Sequence, residues 1–168
     1  PQGGLLAWGG GTPVLINNGV INKASTNQFD MQSVALRNSG DLNLTEGRFV
    51  VGAGTNNGAI NITTNATFQI AQSTFALSTN TTFTGSGTFH IANSSTLRLE
   101  SDIQFETLQV LFDSAVAPQG AFIMANRPGG SITFNRNTTI PGGLLIGGTL
   151  ATTASNITVT INGNLMLL

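Results

Sequence analysis

The chain has 168 residues and a formal net charge of −1, and only 8% of its side chains are charged, six basic against seven acidic. Nucleic acid is therefore not expected as a partner, because binding to a phosphate backbone requires concentrated lysine and arginine. The sequence has no cysteine, which excludes disulfides and thiolate metal sites. Its length, without a charged or proline-rich linker, predicts a single domain over residues 1–168.

The N-terminal part of the chain consists of short apolar runs separated by turn-forming residues. Residues 9–11 are three consecutive glycines, which no helix tolerates. Further runs begin at Val20 and Phe29, and the Asn-Ser-Gly at residues 38–40 closes the first repeat. No segment places apolar residues at helical spacing over three turns without glycine, so we predict an all-β protein.

The stretch from Gly58 to Leu77 is the clearest repeating unit. Read at a period of two, its apolar side chains fall on one face: Ile60, Ile62, Phe68, Ile70, Phe75 and Leu77. Asn61, Gln69 and Ala76 point the other way. The alternation breaks at residues 63–65 and 71–73, so the pattern predicts three short strands joined by two corners, as in one turn of a solenoid.

A short phrase, glycine followed by apolar residues at alternate positions, recurs along the chain. It begins at Gly40, Gly58, Gly87, Gly120, Gly130 and Gly163. Glycine allows a positive φ at a corner, and the repeated phase predicts that inward side chains stack from one coil to the next. The phrase predicts a parallel β-helix (β-solenoid) with about 20 residues per coil. The wider spacing after Gly58 is interpreted as insertions at corners.

An antiparallel architecture is the alternative. Asn18-Gly19, Asn57-Gly58 and Asn162-Gly163 are strong signals for two-residue hairpins. A β-sandwich or jelly roll built from such hairpins would suit the length of the chain. We favour the solenoid because the glycine phrase keeps one phase, and a sandwich has no reason to repeat its sequence.

Few residues are candidates for catalysis. His90 is the only histidine, and strand alternation predicts a solvated imidazole on the outer surface. Arg98, Glu100 and Asp102 share one outer face, where β-helix enzymes that cut acidic polysaccharides place charged residues, but a surface ion pair is the simpler interpretation. No catalytic, phosphate-binding or calcium-binding motif is present, so we predict no enzymatic activity, no cofactor and no metal site.

The sequence also contains candidate sites for N-glycosylation. The Asn-x-Ser/Thr pattern occurs at Asn43, Asn61, Asn65, Asn80, Asn93, Asn137 and Asn156. Asn43 and Asn61 lie between inward apolar residues and must therefore face outward. Asn65, Asn80, Asn93 and Asn137 fall in predicted turns, although a composition rich in Asn and Thr produces several such matches by itself.

Two segments resemble a known class of proteins. Residues 38–45, Asn-Ser-Gly-Asp-Leu-Asn-Leu-Thr, and residues 56–63, Asn-Asn-Gly-Ala-Ile-Asn-Ile-Thr, are similar to repeats of secreted bacterial surface proteins of the filamentous-haemagglutinin and autotransporter-passenger type. The resemblance implies a right-handed parallel β-helix that serves as a stalk, adhesin or fibre.

We therefore expect a non-enzymatic structural or adhesive protein, secreted or at the cell surface. One alternative is a carbohydrate-binding or polysaccharide-degrading β-helix module, in which Trp8 would be an exposed sugar-stacking platform instead of a core residue. Another is an ice-binding rod, suggested by threonines such as Thr158 and Thr160.

The ends of the chain carry further expectations. Leu165, Leu167 and Leu168 leave no polar cap, so we expect self-association through the solenoid ends, or cover by further coils of a longer assembly. Surface glycans are the other expected partner. Neither a membrane span nor a signal peptide is predicted, since the sequence lacks both a long apolar run and a basic start.

Overall fold

The computed structural model describes residues 3–5, 11–92, 95–100, 103–104, 108–112, 122–125, 131–134, 137–140, 144–146, 149–152 and 154–167. In these ranges all regular structure is β and the paired strands run parallel. One turn of the coil takes roughly 21 residues. The predicted parallel β-solenoid is therefore confirmed, and the antiparallel sandwich is excluded.

The strands are short, as the corner residues of the sequence require. In chain order they are β1 (Gly3–Gly4), β2 (Val14–Asn17), β3 (Val20–Met31), β4 (Ala35–Asn38), β5 (Asp41–Val51), β6 (Gly54–Asn56), β7 (Ala59–Ile62), β8 (Ala66–Ile70), β9 (Thr74–Leu77), β10 (Thr82–Thr84), β11 (Thr88–Ile91), β12 (Thr96–Leu99), β13 (Ile103–Gln104), β14 (Gln109–Phe112), β15 (Phe122–Ala125), β16 (Ser131–Phe134), β17 (Thr138–Ile140), β18 (Leu144–Ile146), β19 (Thr149–Thr152), β20 (Val159–Ile161) and β21 (Leu165–Leu167).

These strands stack into three faces around one core. Face I is a continuous sheet in the order β2-β4-β6-β9-β12-β15-β18-β21. Face II begins with the first parts of β3 and β5, continues through β7 and β10, and is extended by the sheet β13-β16-β19. Face III contains β1, the last parts of β3 and β5, then β8, β11 and β14, with β17-β20 beyond them.

The unit from Gly58 to Leu77 folds as its sequence predicts. Strands β7, β8 and β9 occupy the three faces in turn, and the corners fall at residues 63–65 and 71–73. All six of its predicted inward side chains are fully buried. Ala76 lies on the outer side of β9 and is nevertheless buried, because its register neighbours Thr55 and Arg98 are larger and leave its methyl group little solvent.

The core is built from rows of side chains that repeat at one position in successive coils. On face III the rings of Phe29, Phe49, Phe68 and Phe89 stack, with centroid distances of 5.6, 6.1 and 5.6 Å. The interplanar angles of 19°, 13° and 7° show nearly parallel rings. Phe75 on face I meets the stack edge-on, with its centroid 5.6 Å from that of Phe68. Aromatic contacts of this kind add roughly 0.5–1.5 kcal/mol each beyond the burial of area.

Gly54 makes room for one of these rings. It occupies the inward position of face I between Leu36 and Phe75 in the neighbouring coils. A Cβ atom on Gly54 would lie 2.2 Å from the carbonyl oxygen of Leu36 and 3.0 Å from the Phe75 ring, and the φ angle is +156°. Only glycine fits this position, because both the space and the backbone conformation exclude a side chain.

The interpretation of the wider glycine spacing as insertions is wrong for Gly87. Gly58 precedes a strand of face II, whereas Gly87 precedes β11 on face III. The coil length itself stays regular there, since Phe75 pairs with Leu97 in the next coil. The glycine motif therefore marks different corners of the coil at Gly58 and at Gly87. Gly120 and Gly130 lie outside the described residues.

The Asn-Gly pairs form corners and not hairpins. Asn18-Gly19 joins β2 to β3, and Asn57-Gly58 joins β6 to β7, in both cases leading from face I to face II. Asn162-Gly163 leads from β20 on face III to β21 on face I. Each pair connects strands of different faces. In a hairpin the two connected strands would pair with each other, whereas here each strand pairs with a strand of a neighbouring coil.

Candidate functional site

A row of side-chain amides lies on the outer surface of face II. Asn22, Asn43 and Asn61 stand in register in successive coils, and we call them the outer amide strip. Asn43 donates from Nδ2 to Oδ1 of Asn22 over 3.0 Å. Thr84 continues the row in the next coil. The strip carries donors and acceptors about 4.8 Å apart and no charge, so it is suited to hydrogen bonding with neutral polar groups.

The threonines two residues after Asn43 and Asn61 are hydrogen-bonded to the backbone of the preceding coil. The Thr45 hydroxyl donates to the carbonyl oxygen of Lys23 at 3.2 Å, and the Thr63 hydroxyl donates to that of Thr45 at 2.6 Å. Thr45 and Thr63 are the third residues of the Asn43 and Asn61 sequons. In these two sequons the hydroxyl therefore links neighbouring coils.

Of the other candidate glycosylation sites, those that the structure describes lie at corners. Asn65, Asn80 and Asn156 are exposed in turns. Asn137 is exposed, and its Oδ1 accepts a hydrogen bond from the Thr158 N–H at 2.8 Å. Asn93 lies outside the described residues. Glycosylation of any of the seven sites stays a prediction.

A second row of amides lies inside the coil and was not predicted. Asn17, Asn38 and Asn56, the inner asparagine row, occupy an inward position of face I and are buried. Asn17 donates to Asn38, and Asn38 donates to Asn56, each over 2.6 Å. Asn56 donates to the Thr81 hydroxyl at 3.1 Å, where the row ends.

Each inner asparagine also binds the corner that follows it. Asn38 and Asn56 donate to the carbonyl oxygens of Gly40 and Gly58 at 3.1 and 2.8 Å. Asn17 accepts from the Gly19 N–H at 3.1 Å, and it also donates to the carbonyl oxygen of Asp41 in the next coil at 3.1 Å. The signal in the sequence is an asparagine two residues before each of Gly19, Gly40 and Gly58, at the phase that apolar residues occupy in later coils. In the next coil Leu77 replaces the asparagine.

Lys23 is a second unpredicted inward polar residue. It stands in the face II row with Leu44 and Ile62 and is only 8% exposed. Its ammonium group donates to the carbonyl oxygen of Ser25, to the Ser25 hydroxyl at 3.3 Å and to the carbonyl oxygen of Glu46 at 2.8 Å. Burial lowers the pKa of Lys23 below its ordinary value, and the charge of Glu46 partly opposes this.

The predicted charged cluster is reduced to an ion pair in the described residues. Arg98 pairs with Glu100, and the Ser78 hydroxyl donates to Glu100 at 3.1 Å. Both charged side chains are partly exposed, so the pair stabilises the fold by less than ~1 kcal/mol. Asp102 lies outside the described residues. This geometry agrees with the simpler interpretation of the cluster.

His90 and Trp8 are the remaining candidate residues. His90 lies on the outer side of β11 as predicted, but it is half-buried instead of fully solvated. Its backbone register pairs it with Gln69. Trp8 lies outside the described residues. Within the part of the chain that the structure describes, no three His, Cys, Asp or Glu side chains come together as a metal site.

Comparison with known proteins returns no relative. Protein-family models, curated proteins and solved structures give no match to this chain. The kinship with filamentous-haemagglutinin-type proteins therefore stays a prediction from residues 38–45 and 56–63. Separately, the described residues contain no helix with the length and apolarity that a membrane crossing would need.

Proposed function

We propose that this chain is a non-enzymatic extracellular structural protein, a β-solenoid stalk, adhesin or filament subunit. The observation that carries the proposal is the continuity of the interior. Stacked phenylalanines, aliphatic rows and the inner asparagine row link successive coils. Parallel ladders packed in this way resist local opening and therefore proteolysis and mechanical load.

The neutral exterior supports the adhesive variant of this role. The outer amide strip presents Asn22, Asn43 and Asn61 at a regular spacing on one face. Such a surface makes many weak hydrogen bonds and has no strong electrostatic preference for a charged partner. Surface glycans are the partner class that best matches this chemistry.

Association through a solenoid end is part of the same proposal. Leu165 and Leu167 lie in the inward phase of β21 and are 52% and 71% exposed, because no described strand covers that edge. Further coils or a second copy of the chain would bury these side chains and pair the free strand edge.

Electron microscopy with sedimentation velocity tests the structural role. We expect rods that associate at high concentration and resist protease under native conditions. The pair of substitutions Leu165→Lys and Leu167→Lys should lower association, whereas Val14→Lys, at an exposed outer position of face I, should not. Globular particles that a protease degrades rapidly would overturn the proposal.

A carbohydrate-binding module is the second candidate, favoured by the same amide strip. A glycan array should then give one saturable neutral ligand. Replacing Asn43 and Asn61 by leucine should abolish that binding, while Thr67→Leu on face III should preserve it. Polysaccharide cleavage that is lost in Glu100→Gln would instead favour the degrading module.

A further inference from the structure

The three Asn-Gly pairs have a chemistry that neither the scaffold nor the surface role uses. In this dipeptide the glycine amide nitrogen can attack the asparagine side-chain carbonyl carbon, because glycine offers no steric shield. We propose that the fold protects Asn18 and Asn57 and leaves Asn162 as a site of spontaneous deamidation.

The reaction needs only water. A bond forms between the Gly163 nitrogen and Cγ of Asn162, the bond from Cγ to Nδ2 breaks, and ammonia leaves with the proton lost by the glycine amide. Water then opens the cyclic imide to aspartate or isoaspartate. Either product replaces a neutral amide by a carboxylate at the corner between β20 and β21.

At Asn18 the attacking nitrogen is occupied. The Gly19 N–H donates to Oδ1 of Asn17 at 3.1 Å, and Asn17 is held in turn by its bond to Asn38. To react, the Gly19 amide must give up this hydrogen bond, which removes one partner of the Asn17 side chain in the inner asparagine row. The fold therefore opposes the reaction although Asn18 itself is exposed.

At Asn57 the side chain and the corner are both held. Oδ1 of Asn57 accepts from the Asn80 N–H at 3.2 Å, and the Asn57 N–H donates to the carbonyl oxygen of Asn38 at 2.7 Å. The following Gly58 packs so closely on Gly40 that a Cβ on it would lie 2.1 Å from the Gly40 carbonyl oxygen. This packing opposes the rotation that brings the side-chain carbon to the glycine nitrogen.

Asn162 lacks these restraints. Asn162 and Gly163 are both exposed, and within the described ranges neither the Asn162 side chain nor the Gly163 N–H has a hydrogen-bond partner. The local opening that the reaction requires therefore breaks no hydrogen bond of this side chain or of the Gly163 N–H among the described residues.

The test is peptide mapping by mass spectrometry after incubation of the purified chain at mildly alkaline pH. In the folded protein Asn162 should convert several-fold faster than Asn18 and Asn57, with isoaspartate as a product. In urea the three sites should convert at comparable rates, because they share the same dipeptide. Equal rates in the folded protein, or an unchanged order in urea, would overturn the proposal.

Two variants test the causes. Gly163→Ala should suppress conversion at Asn162, since the added methyl group shields the attacking nitrogen. Asn17→Leu should accelerate conversion at Asn18 by freeing the Gly19 N–H, with Asn57 as the internal reference. If Asn18 and Asn57 accelerate together, general loosening is the cause and the specific protection of Asn18 is refuted.

Discussion

Asn38 donates a hydrogen bond from Nδ2 to Oδ1 of Asn56, one coil further along the axis and 2.6 Å away in the closed interior. Asn38 also accepts from Asn17, so one side chain connects three coils. A buried amide is stable only when its polar atoms are paired, and here stacking supplies the partners. The inner asparagines can pair only when neighbouring coils are in register, so the inner asparagine row stabilises the observed register.

Replacing Asn38 by alanine should lower the free energy of unfolding by about 3 kcal/mol, because each buried polar atom left without a partner costs roughly 1–3 kcal/mol. Urea unfolding measures the change. Thr55→Ala, on the outer side of the next strand of face I, is the matched control and should change stability by less than about 0.5 kcal/mol. Equal effects of the two substitutions would contradict this account.

Replacing the whole inner asparagine row by leucine should cost less than the sum of the three single leucine substitutions. The triple substitution removes both partners of each amide–amide hydrogen bond, so neither side-chain atom of these bonds is left unsatisfied, and Leu77 shows that leucine occupies this position in the next coil. The same unfolding experiment checks the expectation. Additive losses would show that the asparagines act independently.

Gly54→Ala should destabilise the protein by more than about 2 kcal/mol, because the methyl group collides with the Leu36 carbonyl and the Phe75 ring at a backbone angle that alanine rarely adopts. Gly19→Ala provides the control, since no atom beyond its two chain neighbours lies within 4 Å of the position of its Cβ. Thermal unfolding of both variants distinguishes them. A tolerated alanine at position 54 would show that this corner can rearrange.

Phe68→Ala should cost about 3–5 kcal/mol, as deletion of a fully buried ring does. Phe68 contacts rings on both sides of the stack and the edge of Phe75. Phe29 is half-buried at the end of the stack, so Phe29→Ala should cost clearly less. Chemical denaturation gives both values, and the reverse order would refute a core centred on Phe68.

Lys23 should make stability rise with pH in the alkaline range. Burial lowers its pKa from the ordinary value of 10.5, so the folded chain releases this proton at a lower pH than the unfolded chain. Between the folded pKa and 10.5 the unfolded state binds more protons, and stability therefore increases with pH. At pH values below the folded pKa, Lys23 is charged in both the folded and the unfolded state. Its burial then lowers the free energy of unfolding by an amount that does not change with pH.

Comparison of the parent with Lys23→Met isolates this contribution. The difference in unfolding free energy between them should shift in favour of the parent as pH rises through the folded pKa of Lys23. Arg37→Met, at an exposed position of face I, should show no such shift. A constant difference between the parent and Lys23→Met across the alkaline range would contradict burial as the cause.

Much of the architecture follows from local alternation in the sequence. Ile60, Ile62 and Phe68 could be assigned to the interior because a strand turns every second side chain to the same side. The corner residues between them then marked where each strand ends. These are properties of neighbouring residues, so they are visible without knowledge of the fold.

Only the tertiary structure decided which polar residues join that interior. Asn38 and Lys23 share the inward phase with leucines, yet their hydrogen bonds depend on groups in other coils, such as Asn56 and Glu46. The partners of Asn38 lie 21 and 18 residues away in the chain, a distance over which alternation carries no information. The same limit applies to Asn57-Gly58. Its sequence is typical of a hairpin, but β6 and β7 on either side of it pair with strands of neighbouring coils and not with each other.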